Sequence, residues 1–288
     1  MSIKPQTVQA ATLYLVATPI GNLADISQRA LDVLQQVDAI AAEDTRNTRK
    51  LLNFYSIDNQ LFSLHEHNED HKAAAIIERL QNRQSIALVS DAGTPLISDP
   101  GYKLVALCRQ QGLDVVPVPG PSALITALSA SGLATDKFCF CGFPPRQSGK
   151  RRDFFQTWSK TRATLIFYES SHRIVESMQD AIDVFGAERN ACLARELTKM
   201  FETFLTGSLQ TVFQQLCEDS DQTRGEFVLM VEAAVEEPTE QAGDIDIDKM
   251  LSLLCEALPI KKAAAITAQI TGLKKNSLYQ RALELKTD

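Results

Sequence analysis

Residues 85–101 read SIALVSDAGTPLISDPG, a short apolar run that breaks into a loop of small, acidic and turn-forming residues. The run SIALVS has the length and composition of a buried strand, and the residues after it do not suit regular structure. Open α/β sheets bind ligands just past the carboxyl ends of their strands. A loop at that position can offer carboxylates, a backbone that a ligand can approach closely and a hydroxyl, here from Asp91, Asp99, Gly93 and Thr94.

Two further junctions between a strand and a loop have the same character. They read ATPIGNL over residues 17–23 and PVPGPSA over residues 117–123. One such loop on its own is as typical of a well-formed turn as of a ligand site. Three of them, each after a predicted strand, favour a ligand site at one edge of the protein.

The bulk composition is that of a globular chain large enough for two domains. The chain has 288 residues, 44% of them hydrophobic, and no apolar run approaches the roughly 20 residues needed to cross a bilayer. The first residues lack the pattern of a signal peptide, so we expect a cytoplasmic protein with no membrane partner. Its six cysteines form neither a CxxC pair nor a cluster with histidine, which predicts reduced thiols and no metal site.

The net charge of −7 is unevenly distributed. Residues 236–248 (EEPTEQAGDIDID) carry −6, residues 249–288 carry +4, and the rest of the chain carries −5. Phosphate contacts depend on local basic patches rather than on totals. The net charge therefore does not exclude an RNA partner.

Strand-like and helix-like segments alternate almost throughout, which predicts parallel sheets covered by helices. A first helix is expected from about Ile26, with Asp25 as its N-cap. We predict an N-terminal α/β domain over residues 1–118 and a second α/β domain over residues 119–235. An acidic linker over 236–248 and a small helix-turn-helix-like tail over 249–288 follow.

Several common nucleotide and hydrolase motifs are missing from the sequence. No GxGxxG follows the first strand, no GxxxxGK[ST] occurs, and no GxSxG elbow is present. A ligand that has no phosphates but carries a ribose, an amino acid and a base would suit the three loops.

Nine segments, in order along the chain, resemble the pattern of the ribosomal RNA small subunit methyltransferase I family, in the tetrapyrrole-methylase-like superfamily. They are VATPIGNLADIS, AEDTRNTRKLL, SLHEHNE, VSDAGTPLISDPG, PGPSALITALSASGL, GFPPRQSGKRR, LIFYESSHRI, RELTKMFET and GEFVLMV. The resemblance implies two α/β domains with a cofactor cleft between them. It also implies an S-adenosylmethionine-dependent enzyme that methylates the ribose 2′-oxygen of a cytidine in 16S ribosomal RNA, within the small ribosomal subunit, and that forms a homodimer.

Carried over by position, the resemblance implies a set of residues around the methyl donor. They are Pro19, Asp91, Gly93, Thr94, Ser122, Ala123, Tyr168, Ala194 and Glu226. Ser122 is also compatible with a plain helix N-cap, and Tyr168 with a core aromatic.

Transfer to a ribose hydroxyl needs placement of the nucleophile, and a positioned base adds roughly 10²–10⁴-fold to the rate. Acidic residues and a histidine follow several predicted strands, where the cleft is expected. The candidates for the base are Glu43, Asp44, His65, Glu66, Asp99 and Glu169. An ion pair between Asp44 and Arg46 that fixes the loop is the alternative for Asp44.

Basic residues near the expected cleft are candidates for RNA contacts, since arginine forks suit phosphates. They are Arg46, Arg49, Lys50, Arg146, Lys150, Arg151 and Arg152. For the aromatics that follow them, Phe154, Phe155 and Trp158, we favour packing into the core. Lysines of the tail form a second, weaker patch.

Two other functions fit parts of this pattern. A tetrapyrrole methyltransferase would share the superfamily's cleft, although the first loop, TPIGN over residues 18–22, is less rich in glycine than in those enzymes. A non-catalytic nucleic-acid-binding protein would depend on the tail. Deleting residues 236–288 would then abolish function, whereas Asp91→Ala would have little effect.

Overall fold

The computed structural model describes residues 7–65, 68–235 and 246–285. The chain divides into two compact units, one up to Ala234 and one from Val235 onward. Both sheets lie in the first unit. None of the helices in the described ranges is long and apolar enough to cross a membrane.

The first sheet has five parallel strands in the order β3-β2-β4-β1-β5. They are β1 Thr12–Val16, β2 Ala39–Ala42, β3 Leu61–Ser63, β4 Ile86–Val89 and β5 Asp114–Val118. The central strands β2 and β4 are buried along their whole length, as continuous apolar runs predict for a sheet covered on both faces.

Four helices cover this sheet: α1 Gln28–Gln36, α2 Thr45–Phe54, α3 Glu69–Gln81 and α4 Tyr102–Gln110. Helices α1 and α2 pack on the face that carries Tyr14 and Val16, while α3 and α4 pack on the face that carries Leu13. The helices that follow the neighbouring strands β1 and β4 thus leave toward opposite faces. That divergence opens a crevice at the carboxyl ends of the strands, where α/β proteins bind ligands.

The predicted start of α1 is wrong by two residues. Asp25 ends a short 3-10 turn, and the helix begins at Gln28. Its N-cap is Ser27, whose hydroxyl accepts a hydrogen bond from the Ala30 amide. The hydroxyl of Ser27 satisfies a free amide of the first turn, which is the capping function predicted for Asp25.

The second sheet corrects the prediction that all sheets are parallel. Its order is β6-β7-β10-β8-β9, and only the β6–β7 pair is parallel. The strands are β6 Phe138–Gly142, β7 Thr164–Ser170, β8 Asn190–Arg195, β9 Thr203–Ser208 and β10 Glu226–Val231. Strand β9 was not predicted, because this edge strand is half-exposed and lacks a continuous apolar run. The short connection from β8 permits an antiparallel pair without a crossover helix.

Four helices pack on the second sheet: α5 Ala123–Ala130, α6 Ser148–Trp158, α7 Ile174–Phe185 and α8 Leu209–Glu218. Helices α6, α7 and α8 cover one face around Phe167, and α5 covers the other face around Ile166. The predicted domain boundary, between residues 118 and 119, falls after β5 and before α5. Division into two domains at that point stays a prediction.

The second unit contains three helices in its described part: α9 Ile247–Ala257, α10 Ile260–Thr271 and α11 Lys275–Glu284. They pack around Leu251, Ala264 and Leu278. Gly272 has a φ of +74° and ends α10, as its place between two predicted helices suggested. Most of the predicted acidic linker lies outside the described residues, and its last two residues begin α9.

Candidate active site

A cavity of about 560 Å³ opens in the first unit. Apolar groups form much of its wall, and carboxylates, hydroxyls and a histidine interrupt them. Its lining comprises Ile20, Glu43, 91–94, 97–99, Ser122, Ala123, Phe143, 168–172, Leu197 and 225–228. The three loops singled out in the sequence all reach this cavity, because β1, β4 and β5 end at the same edge of the parallel sheet.

The loop after β4 has an unusual backbone. Gly93, Leu96, Ser98 and Gly101 all have positive φ, and two of them are not glycine. For Leu96 and Ser98, which are not glycine, such conformations cost of order 1–3 kcal/mol each and persist where the surroundings hold them. A pair of 2.9 Å hydrogen bonds between the backbones of Thr18 and Gly93 ties this loop to the loop after β1.

Asp91 joins the loops that follow β4 and β2. Its Oδ1 accepts a 3.1 Å hydrogen bond from the Asp44 amide, and its Oδ2 accepts a 3.0 Å bond from Asn47 Nδ2. Its own amide donates to Glu43 Oε2 at 3.3 Å. Because each carboxylate oxygen has two acceptor sites, Asp91 can still accept bonds from a ligand.

Asp99 is the carboxylate of the cavity whose ionisation the protein disfavours most clearly. Burial raises its pKa to about 6, and the nearby negative charges of Glu43 and Asp91 add to this rise. A hydrogen bond from Ser90 acts in the opposite direction. A carboxylate with a pKa of this value exchanges protons readily near neutral pH, which a general base requires.

Asp44 has the opposite environment and does not line the cavity. Its side chain caps α2 by accepting from the Arg46 amide at 2.8 Å, and it pairs with the Arg46 guanidinium at 2.7 Å. These bonds lower the pKa of Asp44 to about 2. The structure contains the ion pair that was the alternative for Asp44, and the role of Asp44 as the base stays an untested prediction that these contacts disfavour.

Glu169 lies at the end of β7, on the cavity wall, with a side chain that is 1% exposed. Its Oε1 accepts from Arg173 at 2.6 Å and from the Ser170 amide at 2.8 Å. Its Oε2 is buried and has no hydrogen-bond partner among the described residues.

The remaining candidates for the base are placed differently. His65 follows β3 and lies outside the cavity lining, with its Nε2 3.0 Å from Asn68 Nδ2. Glu66 falls outside the described residues. Glu43 lines the cavity.

Seven of the nine residues expected around the methyl donor line the cavity: Asp91, Gly93, Thr94, Ser122, Ala123, Tyr168 and Glu226. Ser122 is the N-cap residue of α5, as the alternative interpretation had it, but its side chain makes no capping hydrogen bond. The Tyr168 hydroxyl accepts a 3.1 Å bond from the Leu124 amide, which fixes the start of α5. Tyr168 is therefore both a core aromatic and part of the cavity wall.

Pro19 and Ala194 are not part of the lining. Ala194 is fully buried in the core between the second sheet and α5. Pro19 lies in the loop after β1, and its neighbour Ile20 reaches the cavity instead. Pro19 is thus next in sequence to a residue that lines the cavity, whereas Ala194 lies in the core and not at the cavity surface.

The basic residues divide into an exposed group and one buried exception. Arg46, Arg49, Lys50, Arg146, Lys150 and Arg152 are exposed. Arg151 is fully buried, with its Nε 2.6 Å from Asp180 and its Nη1 bonded to the carbonyls of Pro145 and Arg146. The prediction that Arg151 contacts RNA is therefore wrong, because its donors hold the start of α6 inside the core. Phe154, Phe155 and Trp158 pack into the core, as favoured.

Sequence reasoning missed several cavity residues, among them Ile20, Phe143, His172 and Leu197. All four lie within three positions of a predicted site residue. Leu197 lies in a loop after β8 where Glu196 and Thr198 have positive φ. The residue types of this loop do not indicate that conformation. Among the described residues, no group of three or more histidines, cysteines or acids could hold a metal ion.

The chain is similar to known proteins in sequence and in fold. A family model of tetrapyrrole (corrin/porphyrin) methylases matches residues 12–212, and a model of the RsmI C-terminal HTH domain matches residues 241–286. The chain is 54% identical to a protein of Vibrio cholerae over 96% of this chain and 95% of that protein. It is 53% identical to one of Escherichia coli O157:H7 over 94% of each chain. Both relatives are named ribosomal RNA small subunit methyltransferase I.

Solved structures share the fold at low sequence identity. A diphthine synthase matches with a TM-score of 0.61 and 15% identity, covering 77% of this chain and 90% of that chain. A cobalt precorrin-4 methyltransferase matches with a TM-score of 0.56 and 14% identity, covering 77% of this chain and 95% of that chain. At this level of identity the likeness concerns the fold alone, and it agrees with two β-sheets that are each flanked by helices.

Proposed function

This chain belongs to the ribosomal RNA small subunit methyltransferase I family, and from that membership and its cavity we propose a specific reaction. The chain transfers the methyl group of S-adenosylmethionine to the ribose 2′-hydroxyl of a cytidine in 16S ribosomal RNA. The observation that carries the proposal is the cavity at the ends of β1, β4 and β5, with Asp99 in its wall. The small ribosomal subunit as substrate, and a homodimer, are proposals that rest on the family resemblance.

The cavity suits a ligand with both apolar and cationic parts. Its volume of about 560 Å³ lies in the usual range for sites that take small molecules. Its carboxylates, among them Asp91 and Glu43, are matched to the ammonium and sulfonium charges of the methyl donor. Ile20, Leu197 and Val228 supply an apolar wall.

Gly93 keeps the cavity floor open between two segments. A Cβ at this position would lie 3.4 Å from Ile20 Cγ2 and 3.8 Å from the Pro121 carbonyl oxygen. Thr94 donates from its hydroxyl to the same carbonyl at 3.1 Å, which fixes the start of the segment that leads to Ser122. A ligand can therefore approach the backbone here without meeting a side chain.

Methyl transfer is an in-line displacement in which the donor supplies an activated methyl group on its sulfonium sulfur. The 2′-oxygen forms a bond to the methyl carbon, while the bond from carbon to sulfur breaks and its electron pair stays on sulfur. The proton of the 2′-hydroxyl must leave, and we assign it to the carboxylate of Asp99. Positioning contributes roughly 7–11 kcal/mol of barrier reduction, and a base adds roughly 10²–10⁴-fold.

RNA contacts are proposed for the exposed basic residues. Phe143 lines the cavity, and Arg146, Lys150 and Arg152 follow it within ten residues along the chain. Arg46 follows β2 beside the loop that holds Asp91. Replacing these side chains with alanine should weaken RNA binding and lower the slope of its dependence on salt by about one per lost phosphate contact.

The test incubates the protein with S-adenosylmethionine that carries a labelled methyl group and with small ribosomal subunits that lack the modification. Mass spectrometry of nucleosides then locates the label. We expect it on the ribose of a single cytidine, in the wild type and in the control Asp58→Asn, an exposed acid outside the cavity lining. Label on a nucleobase, or transfer to a tetrapyrrole and not to RNA, would overturn the proposal.

A further inference from the structure

The cavity wall contains an acceptor that the proposed proton transfer does not use. Glu169 Oε2 is buried and has no partner among the described residues, although Glu169 lines the cavity. A buried carboxylate oxygen without a donor loses its hydration with no compensating hydrogen bond, so such atoms in native proteins call for a partner.

The other half of the carboxylate is fully engaged. Oε1 accepts from the Arg173 guanidinium at 2.6 Å and from the Ser170 amide at 2.8 Å. These two donors fix the side chain in one orientation, and the ion pair leaves little net charge at this point of the wall. Oε2 is therefore a positioned acceptor rather than a mobile one.

The chemistry of the missing partner follows from these neighbours. Because the ion pair with Arg173 already balances the charge of the carboxylate, Oε2 needs no cation opposite it, which favours an uncharged N–H. Glutamate is a good acceptor for the exocyclic amino group of a base, such as the 4-amino group of cytosine. A carbonyl in the same place would oppose one acceptor with another.

We propose that Glu169 is a specificity-determining residue whose Oε2 accepts a hydrogen bond from the exocyclic amino group of a nucleobase bound in the cavity. The inference rests on the proposed function, since that reaction offers two such groups. One is the 4-amino group of the target cytidine, and the other is the 6-amino group of the methyl donor's adenine. It also moves Glu169 from the candidates for the base to the residues that select the ligand.

Two pairs of ligands distinguish the sources. The first pair is S-adenosylhomocysteine and its analogue with a 6-carbonyl in place of the 6-amino group, compared by calorimetry. The second pair is small ribosomal subunits with cytidine or with uridine at the mapped target position, compared by label transfer. In the wild type we expect the amino ligand to be preferred at least tenfold in one of the two pairs.

We expect the variant Glu169→Gln to weaken or reverse the preference for the amino ligand, rather than simply to lose ligand binding. Arg173 and the Ser170 amide both need an acceptor, so the amide oxygen of glutamine takes the place of Oε1 and its NH₂ takes the place of Oε2. A donor then faces the ligand. We expect the preference to fall at least tenfold or to turn toward the carbonyl ligand, in the same pair in which the wild type discriminates.

Glu176→Gln is the matched control, because Glu176 is a 71% exposed glutamate on α7 outside the cavity lining. It should keep the wild-type preference. If the wild type discriminates in neither pair, the inference is overturned whether or not the Glu169 variant folds. An unchanged preference in folded Glu169→Gln overturns it as well. Absence of any ribose label with the wild type would instead count against the proposed function.

Discussion

The loops after β2 and after β4 leave neighbouring parallel strands at the same edge of one sheet, and both are rich in acidic residues. In the loop after β2, the carboxylate of Asp44 caps α2 and pairs with Arg46, and these bonds lower its pKa to about 2. In the loop after β4, Asp99 lies in the cavity wall, and its pKa rises to about 6. The difference shows that position after a strand brings a carboxylate near a site, whereas its partners decide whether it can take part in chemistry.

The largest expected effect concerns Asp99. If Asp99 accepts the proton, Asp99→Asn should lower kcat by roughly 10²–10⁴-fold with little change in the Kd for the methyl donor. In the wild type, the rate should fall as the pH drops below about 6, where this carboxylate becomes protonated. Single-turnover rates between pH 5 and pH 9 measure both effects, with Asp58→Asn as the control. A variant that keeps the wild-type rate and the same acidic limb would remove Asp99 from the reaction.

A smaller effect is expected from Asp91, which serves both loops. Asp91→Asn removes the charge that faces a cationic ligand, and hydrogen bonds to charged groups contribute about 1.5–3 kcal/mol, so affinity for the methyl donor should fall roughly tenfold to hundredfold. Asn47→Ala is the matched control, because it removes the 3.0 Å bond to Asp91 Oδ2 but leaves the carboxylate. Calorimetry should show near-normal binding in this control. Equal losses in both variants would mean that Asp91 acts through the loop and not on the ligand.

Substitution of Gly93 tests whether the loop after β4 contributes to ligand binding locally as well as to the stability of the protein. Gly93→Ala places a Cβ at φ +82°, which costs about 1–2 kcal/mol, and 3.4 Å from Ile20. We expect a lower Tm and an affinity for the methyl donor reduced several-fold. Gly112→Ala has a similar φ of +69° with open space around it, so it should lower the Tm alone. An affinity loss in Gly112→Ala of the same size would contradict a local effect at Gly93.

The smallest effects are opposite shifts in thermal stability. The pKa of Asp44 is lowered on folding, so its contribution is present above pH 3.8 and is lost as the pH falls toward about 2. The pKa of Asp99 is raised, so the folded state loses stability as the pH rises from 3.8 through about 6.

At pH 8, Asp44→Asn should therefore lower the Tm only slightly, because its ion pair is exposed to solvent, and Asp99→Asn should raise the Tm by a few degrees. At pH 4, Asp99→Asn should change the Tm little, because the wild-type side chain is already mostly protonated there. Calorimetric scans at both pH values measure these shifts. Shifts of the same sign for the two variants at pH 8 would contradict the contrast between the loops.

Much of the first sheet could be predicted from residues alone. Its strands are short runs of three to five residues between helical patterns, and that alternation is enough to predict parallel pairing. The second sheet could not be predicted in the same way. Strand β9 is a half-exposed edge strand, and its pairing with β8 across a short connection makes the sheet mostly antiparallel.

The candidate site was predictable to the level of its loops but not of its atoms. Glycine, threonine and aspartate after a buried strand indicated the loop that holds Gly93, and the structure brings that loop to the cavity. The residue types around Lys150 indicated a basic surface equally well for Arg151, which instead is buried against Asp180. The residues next to Arg151 in the sequence do not indicate that its partner, Asp180, lies on another helix.

The sequence alone determined the apolar periodicity, the turn residues and the order of the motifs, because these depend on residue type and spacing along the chain. Only the tertiary structure decided which carboxylates are paired, which are desolvated and which remain open to a ligand. The physical reason is that the ionisation of Asp99 depends on burial by segments distant in sequence, and that Asp44 and Glu169 meet their nearby partners only in the conformation that the fold gives these segments. For Asp44 the decisive partner is Arg46, two residues away, and for Asp99 the decisive factor is burial in the cavity wall.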